Sequence, residues 1–396
     1  MAARNSVATV GAAIIGSGFA ARFHVENYKR VHGVDVRLVG VYSRRAEASA
    51  EFAKKHGFKK TYGSLEELLK DPAVDLVDAC IPNHLHEEMG LKALGAGKHV
   101  VIEKPFSGSF TPGKDEKGWQ RCLDEALSSA DKLVAAERKS GKRILYGENW
   151  VYAPGIQKAN RLLASAETPI LRMVGEESHH GTHSAYGMQW KTSGGGSLYM
   201  KGVHPLGGAI YLKHKEGMRR TGKPVRPSWV VGTVANLTHS DAFAAETAHV
   251  IRTGWTDCED WGTMVLGFDD GTVAQITAAD TVVGGVQNVL AIYAGRTTIN
   301  VNINPNNAVV AYSPDAEAFS REYIREKVET TAGWQFTNPD EDWMNGFPHE
   351  MQDFVESVAT GREPESGSML GRDVVAAVYS AYLSAHTGSR RVEIKS

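Results

Sequence analysis

The chain has 396 residues, 42% of them apolar and 23% charged, and a net charge of −2. That length gives room for roughly two or three domains with a cleft between them. The charge balance offers no attraction for a polyanion such as nucleic acid, and no apolar run approaches the ~18–20 residues of a membrane span. No signal-peptide pattern opens the chain. Cys80, Cys122 and Cys258 are too scattered for a metal or redox pair, which fits a reducing, cytoplasmic setting.

Through about residue 150, short apolar runs alternate with helical patterns. ATVGAAIIG leads into a helix from Phe19 to Val31, and VRLVGVYS follows. Ser64 and Glu67 form a capping-box signature before LEELL, because serine oxygen and glutamate satisfy exposed helix amides. DLVDACI stops at Pro82 and HVVIE at Pro105. Strands separated by helices pair in parallel through right-handed crossovers, so residues 1–150 are expected to form a doubly wound sheet. Residues 107–120, SGSFTPGKDEKGWQ, read as a solvated surface loop before a helix that begins near Cys122.

Gly16-Ser17-Gly18-Phe19-Ala20-Ala21 lies between the first strand and its helix. Gly16 allows a tight turn, Gly18 lets the backbone approach a pyrophosphate, and Ala21 permits close packing. The second strand ends in Tyr42-Ser43-Arg44-Arg45 without an acidic residue for a ribose 2′-hydroxyl. Ser43 and Arg44 suit a 2′-phosphate, which favours NADP over NAD.

After Tyr152 the pattern turns β-rich: ILRMVGEE, SWVVGTVANLTH, WGTMVLGF, TVAQITAA, VLAIYAG and TTINVNI. Asp269-Asp270-Gly271 is a hairpin signal between two of these runs. The expected second domain, residues 151–396, is α+β with a large, open-faced, mostly antiparallel sheet. Met351, Phe354, Val355 and Val358 form one helical stripe, and Val374, Val378 and Tyr382 another. The last helix, about 371–386, is placed to pack back on the first domain.

With the glycine loop, Pro82-Asn83-His84-Leu85-His86 and Glu103-Lys104-Pro105 in place, the chain resembles the Gfo/Idh/MocA family of sugar and polyol oxidoreductases. The likeness continues through Trp190-Lys191, the triplet Gly194-Gly195-Gly196 and CEDWGTMVLGFDDGT. The resemblance implies a Rossmann domain, an open-faced sheet domain, an active site between them, and homo-oligomers (dimers or tetramers) built through that sheet. It implies dinucleotide contacts from Gly16, Gly18, Phe19, Ala20, Ser43, Arg44, Pro82, Asn83, His86, Glu103, Lys104 and Trp190. Lys104 matches the lysine beside the nicotinamide, and His204 matches the histidine that handles the hydroxyl proton. The family aspartate falls on Met200, and the acid some members carry three residues after the histidine falls on Gly207.

Five of the fifteen histidines, His179, His180, His183, His204 and His214, lie within 36 residues. Glu176, His179 and His183 are the expected replacements for the lost carboxylate and, with Asn149, Tyr152 and Lys201, the expected substrate contacts. Lys201 suits an acidic sugar if it points into the cleft. A divalent metal on Glu176, His179, His183 and His204 is the weaker alternative, because the spacing matches no established metal signature. No metal site is therefore assigned. The expected activity is NAD(P)-dependent hydride transfer at a secondary hydroxyl of a carbohydrate. The alternatives are redox-neutral glycoside cleavage through transient C3 oxidation and a non-catalytic dinucleotide sensor.

Overall fold

A computed structural model describes residues 7–182 and 184–395. Six strands form the first sheet: β1 (Thr9–Ile15), β2 (Asp35–Tyr42), β3 (Lys60–Thr61), β4 (Leu76–Ala79), β5 (His99–Glu103) and β6 (Ile144–Gly147). They run parallel in the order β3-β2-β1-β4-β5-β6. β4 and β6 are buried throughout, as expected of parallel strands covered on both faces. The strand order reverses between β1 and β4, so a crevice opens at the carboxyl ends of these strands.

The second sheet takes β7 (Ile170–Ser178), β8 (Pro227–Ala235), β9 (Trp261–Phe268), β10 (Val273–Ala279), β11 (Gln287–Ala294) and β12 (Thr298–Asn304). β13 (Val309–Ser313) and β14 (Gly333–Thr337) form a separate hairpin, and β15 (Val392–Glu393) joins the edge of the large sheet. The seven strands run β12-β11-β7-β10-β9-β8-β15, antiparallel except where β7 meets β10. One face packs on the buried helix Val203–Thr221. On the other face Val265 is exposed, and Val174, Val231 and Val289 are half-buried. The helix Ser368–Ala385 packs against both Glu116–Ser140 and β8.

Local chemistry explains several boundaries. Ser64 Oγ accepts from Glu67 N at 3.1 Å, and Glu67 returns a carboxylate oxygen to Gly63 N at 2.8 Å. The segment expected to be a solvated loop differs at its start. Ser107, Gly108 and Ser109 are buried, and Ser109 N donates to Tyr379 Oη at 2.8 Å. The helix after them begins at Glu116, earlier than expected, because Asp115 caps it through Gly118 N.

The glycine triplet also has a local cause. A Cβ at Gly195 would lie 2.4 Å from Tyr382 Oη, and one at Gly196 would lie 2.0 Å from the Glu259 carbonyl. Glu259 then accepts from Gly196 N and Leu198 N, both at 3.0 Å. The triplet makes room for the protein's own buried tyrosines and glutamate.

Candidate active site

A cavity of about 810 Å³ lies between the two sheets. Its first wall is the turn after β1. Gly16 has φ +111°, and a Cβ there would sit 2.2 Å from the Cys80 carbonyl. Around Gly18, by contrast, an added Cβ would meet nothing within 4 Å. The helix Phe19–Tyr28 starts at Gly18 with no side-chain cap and no acidic residue in its first turn. Its free amides and positive dipole end therefore face open space, which fits a pyrophosphate. Phe19 is 61% exposed and packs edge-on against Phe23, which stacks on Phe347.

At the end of β2, Ser43 Oγ is tied to Ser49 Oγ at 2.8 Å and to the Arg45 carbonyl at 2.9 Å. Arg44 is exposed and has no ion pair among the described residues.

Beneath the turn lies a buried chain that sequence reasoning missed. His24 Nδ1 is 2.8 Å from Asp78, and its Nε2 is 2.8 Å from Glu103. Tyr28 Oη donates to Asp78 at 2.9 Å. Burial opposes a charge on His24, but Asp78 and Cys80 together outweigh it and hold the imidazole pKa well above its ordinary value. His24, Asp78 and Cys80 are also close enough to share a metal ion, yet the two carboxylates already engage both ring nitrogens.

Pro82 and Asn83 line the cavity, and Asn83 Nδ2 donates to the Ser193 carbonyl at 2.8 Å. His86 does not reach it. Its ring sits between the carbonyls of Pro105 (2.8 Å) and Ile81 (3.1 Å), pinning the ends of β4 and β5 together. Trp190, expected at the dinucleotide, is buried against Trp119 and Tyr382 and donates to the Ser109 carbonyl at 2.9 Å. Both residues position the crevice from behind.

Lys104 reaches the cavity and donates to the Met200 carbonyl at 2.9 Å. Met200, at the position of the missing aspartate, thus gives Lys104 a carbonyl, and its sulfur accepts from Asn83 at 3.2 Å. His204, near the start of the helix Val203–Thr221, places Nδ1 2.7 Å from Glu148 Oε1. The same oxygen accepts from Trp150 N at 3.2 Å, and we assign Nδ1–H as a second donor to it. That tautomer leaves Nε2 unprotonated. Burial holds the imidazole pKa down to about 4, and burial also raises the Glu148 carboxyl.

Glu148 was missed in the sequence, where it is one letter of the turn GENW. Its signal was Gly207, where a Cβ would lie 2.8 Å from Glu148 Cγ. The carboxylate arrives from the end of β6 and occupies the space a side chain at 207 would need. The expected replacement, Glu176, is turned away from the cavity and accepts from Ser178 Oγ at 2.7 Å. Strand alternation brings its neighbour Glu177 inward instead.

Asn149 lines the cavity and donates to the Asn345 carbonyl at 2.7 Å. Tyr152 does not line it. Its hydroxyl donates to Asp353 at 2.7 Å and accepts from Ser366 N at 3.0 Å in the packing beyond. Lys201 borders the cavity, but its ammonium is held by buried Asp280 at 2.6 Å, so the charge expected to bind an acidic sugar is already neutralised.

His179 also lines the cavity. Gly181 N donates to its Nδ1 at 3.1 Å, and Lys327 Nζ lies 2.6 Å from its Nε2. Burial pulls the Lys327 pKa down to about 8. His183 lies outside the described residues.

Residues 10–117 match the oxidoreductase family model with the NAD-binding Rossmann fold, Gfo/Idh/MocA. The levoglucosan dehydrogenase of Pseudarthrobacter phenanthrenivorans is 31% identical over 272 residues, 67% of this chain and 66% of the relative. The chain belongs to the Gfo/Idh/MocA family. The 1,5-anhydro-D-fructose reductase of Ensifer adhaerens, another relative, is 29% identical over 53% of this chain and 61% of its own. The first curated relatives are matched over only 45%, 47% and 61% of their lengths.

Among solved structures, GenD2 from gentamicin A biosynthesis, in complex with NAD, superposes with TM-score 0.79 at 24% identity. That match covers 98% of this chain and 97% of that one. At this identity the likeness is one of fold. Among the described residues no helix is long and apolar enough to cross a membrane.

Proposed function

We propose that this Gfo/Idh/MocA chain is an NAD(P)-dependent oxidoreductase acting on a secondary hydroxyl or ketone of a sugar, polyol or glycoside. The observation that carries the reading is the meeting of Lys104 with a neutral, Glu148-anchored His204 in one cavity with the open helix end at Gly18. The uncapped amides there and the space at Gly18 fit a dinucleotide's phosphates, and a bound nicotinamide supplies hydride transfer.

The chain's own residues do the rest. The Lys104 ammonium binds the substrate oxygen and stabilises negative charge as it develops. His204 Nε2 takes the hydroxyl proton in oxidation and returns it in reduction. Glu148 holds Nδ1, fixes the tautomer and stabilises the imidazolium once formed, the part an orienting carboxylate plays beside a catalytic histidine. Asn83 and the Met200 carbonyl fix the approach of Lys104.

Arg44, exposed beside Ser43 and without an ion pair among the described residues, supports NADP over NAD as the dinucleotide, since a guanidinium pairs well with a 2′-phosphate. The partly exposed valines on the outer face of the large sheet support self-association there. The free cysteines Cys80, Cys122 and Cys258 fit a cytoplasmic enzyme. A carbohydrate and glycoside panel with NAD and NADP, followed by nicotinamide absorbance and product mass, tests the activity.

A second reading rests on the His179–Lys327 pair. It is a separate amine-and-imidazole unit able to take a proton from a carbon beside the reacting one, the step that redox-neutral glycoside cleavage adds. Cleaved glycoside without net reduced nicotinamide would select that reading.

A further inference from the structure

Three polar side chains form a line across the floor of the cavity. Glu177 on β7 pairs in register with Asn288 on β11, and Asn288 pairs with Asn304 on β12. All three line the cavity, with exposures of 8%, 7% and 0%. Buried polar groups are normally satisfied, but these are not. Glu177 and the Asn288 amide make no side-chain hydrogen bond among the described residues, and Glu177 Oε2, Asn288 Oδ1 and Asn304 Oδ1 are all buried without a partner. Asn304 cannot flip to cure this, because its Nδ2 donates to Glu341 at 2.9 Å.

The line shares its cavity with the reaction centre, since Glu177, Lys104 and His204 line the same space. Adjacent strands lie ~4.8 Å apart, so three rungs span roughly 10 Å, longer than one pyranose ring. The rungs offer four acceptor oxygens against one amide donor. A carboxylate or phosphate would bring only further acceptors, and buried Lys201 at the cavity edge is taken by Asp280.

We propose that Glu177, Asn288 and Asn304 form a subsite for the second, donor-rich ring of a two-ring glycoside. Its hydroxyl or amino groups fill the acceptors while the first ring reacts at Lys104 and His204. This rests on the oxidoreductase reading for the reacting ring, but binding alone tests it.

Titration calorimetry on the dinucleotide-saturated protein reads the subsite directly. The probes are gluco-, manno- and galacto-configured methyl glycosides, their two-ring counterparts, amino-substituted two-ring analogues and the matching uronates. The expected result is a two-ring ligand that binds at least tenfold tighter than its one-ring parent. Asn288→Ala should remove that gain, and the uronate should bind at least tenfold more weakly than the neutral ligand. Comparison of the hydroxyl and amino arms shows which donor Glu177 meets. Asn288→Leu, close to the same volume, reads the same loss should Asn288→Ala lower the melting temperature.

Equal binding of one and two rings, a gain that survives both substitutions, preference for the uronate, or no binding anywhere in the panel would overturn the subsite. A protein that binds the two-ring ligand as described yet never reduces nicotinamide keeps the subsite and loses the oxidoreductase reading.

Discussion

The two walls of the cavity are built on different principles. The proposed dinucleotide wall is contiguous: Gly16 to Ala21 supply a turn and a helix end, and the backbone would present the binding groups. The proposed proton-handling wall gathers Lys104, Glu148, Glu177 and His204 from four separate elements, and side chains would present the chemistry. A backbone site is written in local sequence, whereas a side-chain site is written in the packing that assembles it.

That contrast can be broken by substitutions that strike one wall and spare the other. The largest effect is expected from Lys104→Met, with kcat falling by roughly 10²–10³-fold while fluorescence titration shows dinucleotide affinity unchanged. Equal loss of both would merge the two walls into one unit.

Glu148→Ala is expected to lower kcat by about 10²-fold, less than the ~10⁴ seen when a triad's orienting aspartate is changed. Gly207→Ala should act in the same direction although alanine favours a helix, because its Cβ would meet Glu148 Cγ at 2.8 Å. The double variant Glu148→Ala, Gly207→Asp should recover part of the rate by returning a carboxylate from the other side. No recovery would show that Glu148 does more than orient His204.

On the dinucleotide wall, two neighbouring glycines should separate. Gly16→Ala forces a side chain onto φ +111° and into the Cys80 carbonyl, so both melting temperature and dinucleotide affinity should fall. Gly18→Ala adds a Cβ that meets nothing in the protein within 4 Å. It should keep the melting temperature and lose about tenfold or more in affinity, since only the ligand occupies that space.

Smaller effects sharpen the boundary of the site. Tyr152→Phe loses two buried hydrogen bonds and should cost about 1–3 kcal/mol of stability, with kcat and KM within about twofold of the parent. As pH falls, the unfolded chain takes up a histidine proton near 6.5, before folded His204 does at about 4. Stability therefore drops across that window. His204→Leu should make the fall of melting temperature between pH 6.5 and 4 shallower, and an unchanged slope would place that proton elsewhere.

The sequence made the first wall legible because strand, glycine turn and helix follow one another within a few residues. Lys104 and His204 were legible through the resemblance of their motifs. Glu148 was not, because its role appears only when β6 is laid beside the helix that carries Gly207. Glu177 was confused with Glu176 because the β7 sequence ILRMVGEES does not alternate cleanly, and one residue of register reverses the face. Tyr152, Trp190 and His86 carry motif-like residues yet serve as supports. Their hydrogen-bond partners, distant in sequence, decide that.

The central claim is that His204, held by Glu148, takes the proton that accompanies hydride transfer. The most direct measurement is nicotinamide reduction across the carbohydrate panel for the parent and His204→Ala, with dinucleotide occupancy measured in both. The account predicts a sugar or glycoside that the parent oxidises and a loss of roughly 10²–10⁴-fold in the variant, with the dinucleotide still bound. A variant as fast as the parent on the same substrate would contradict it.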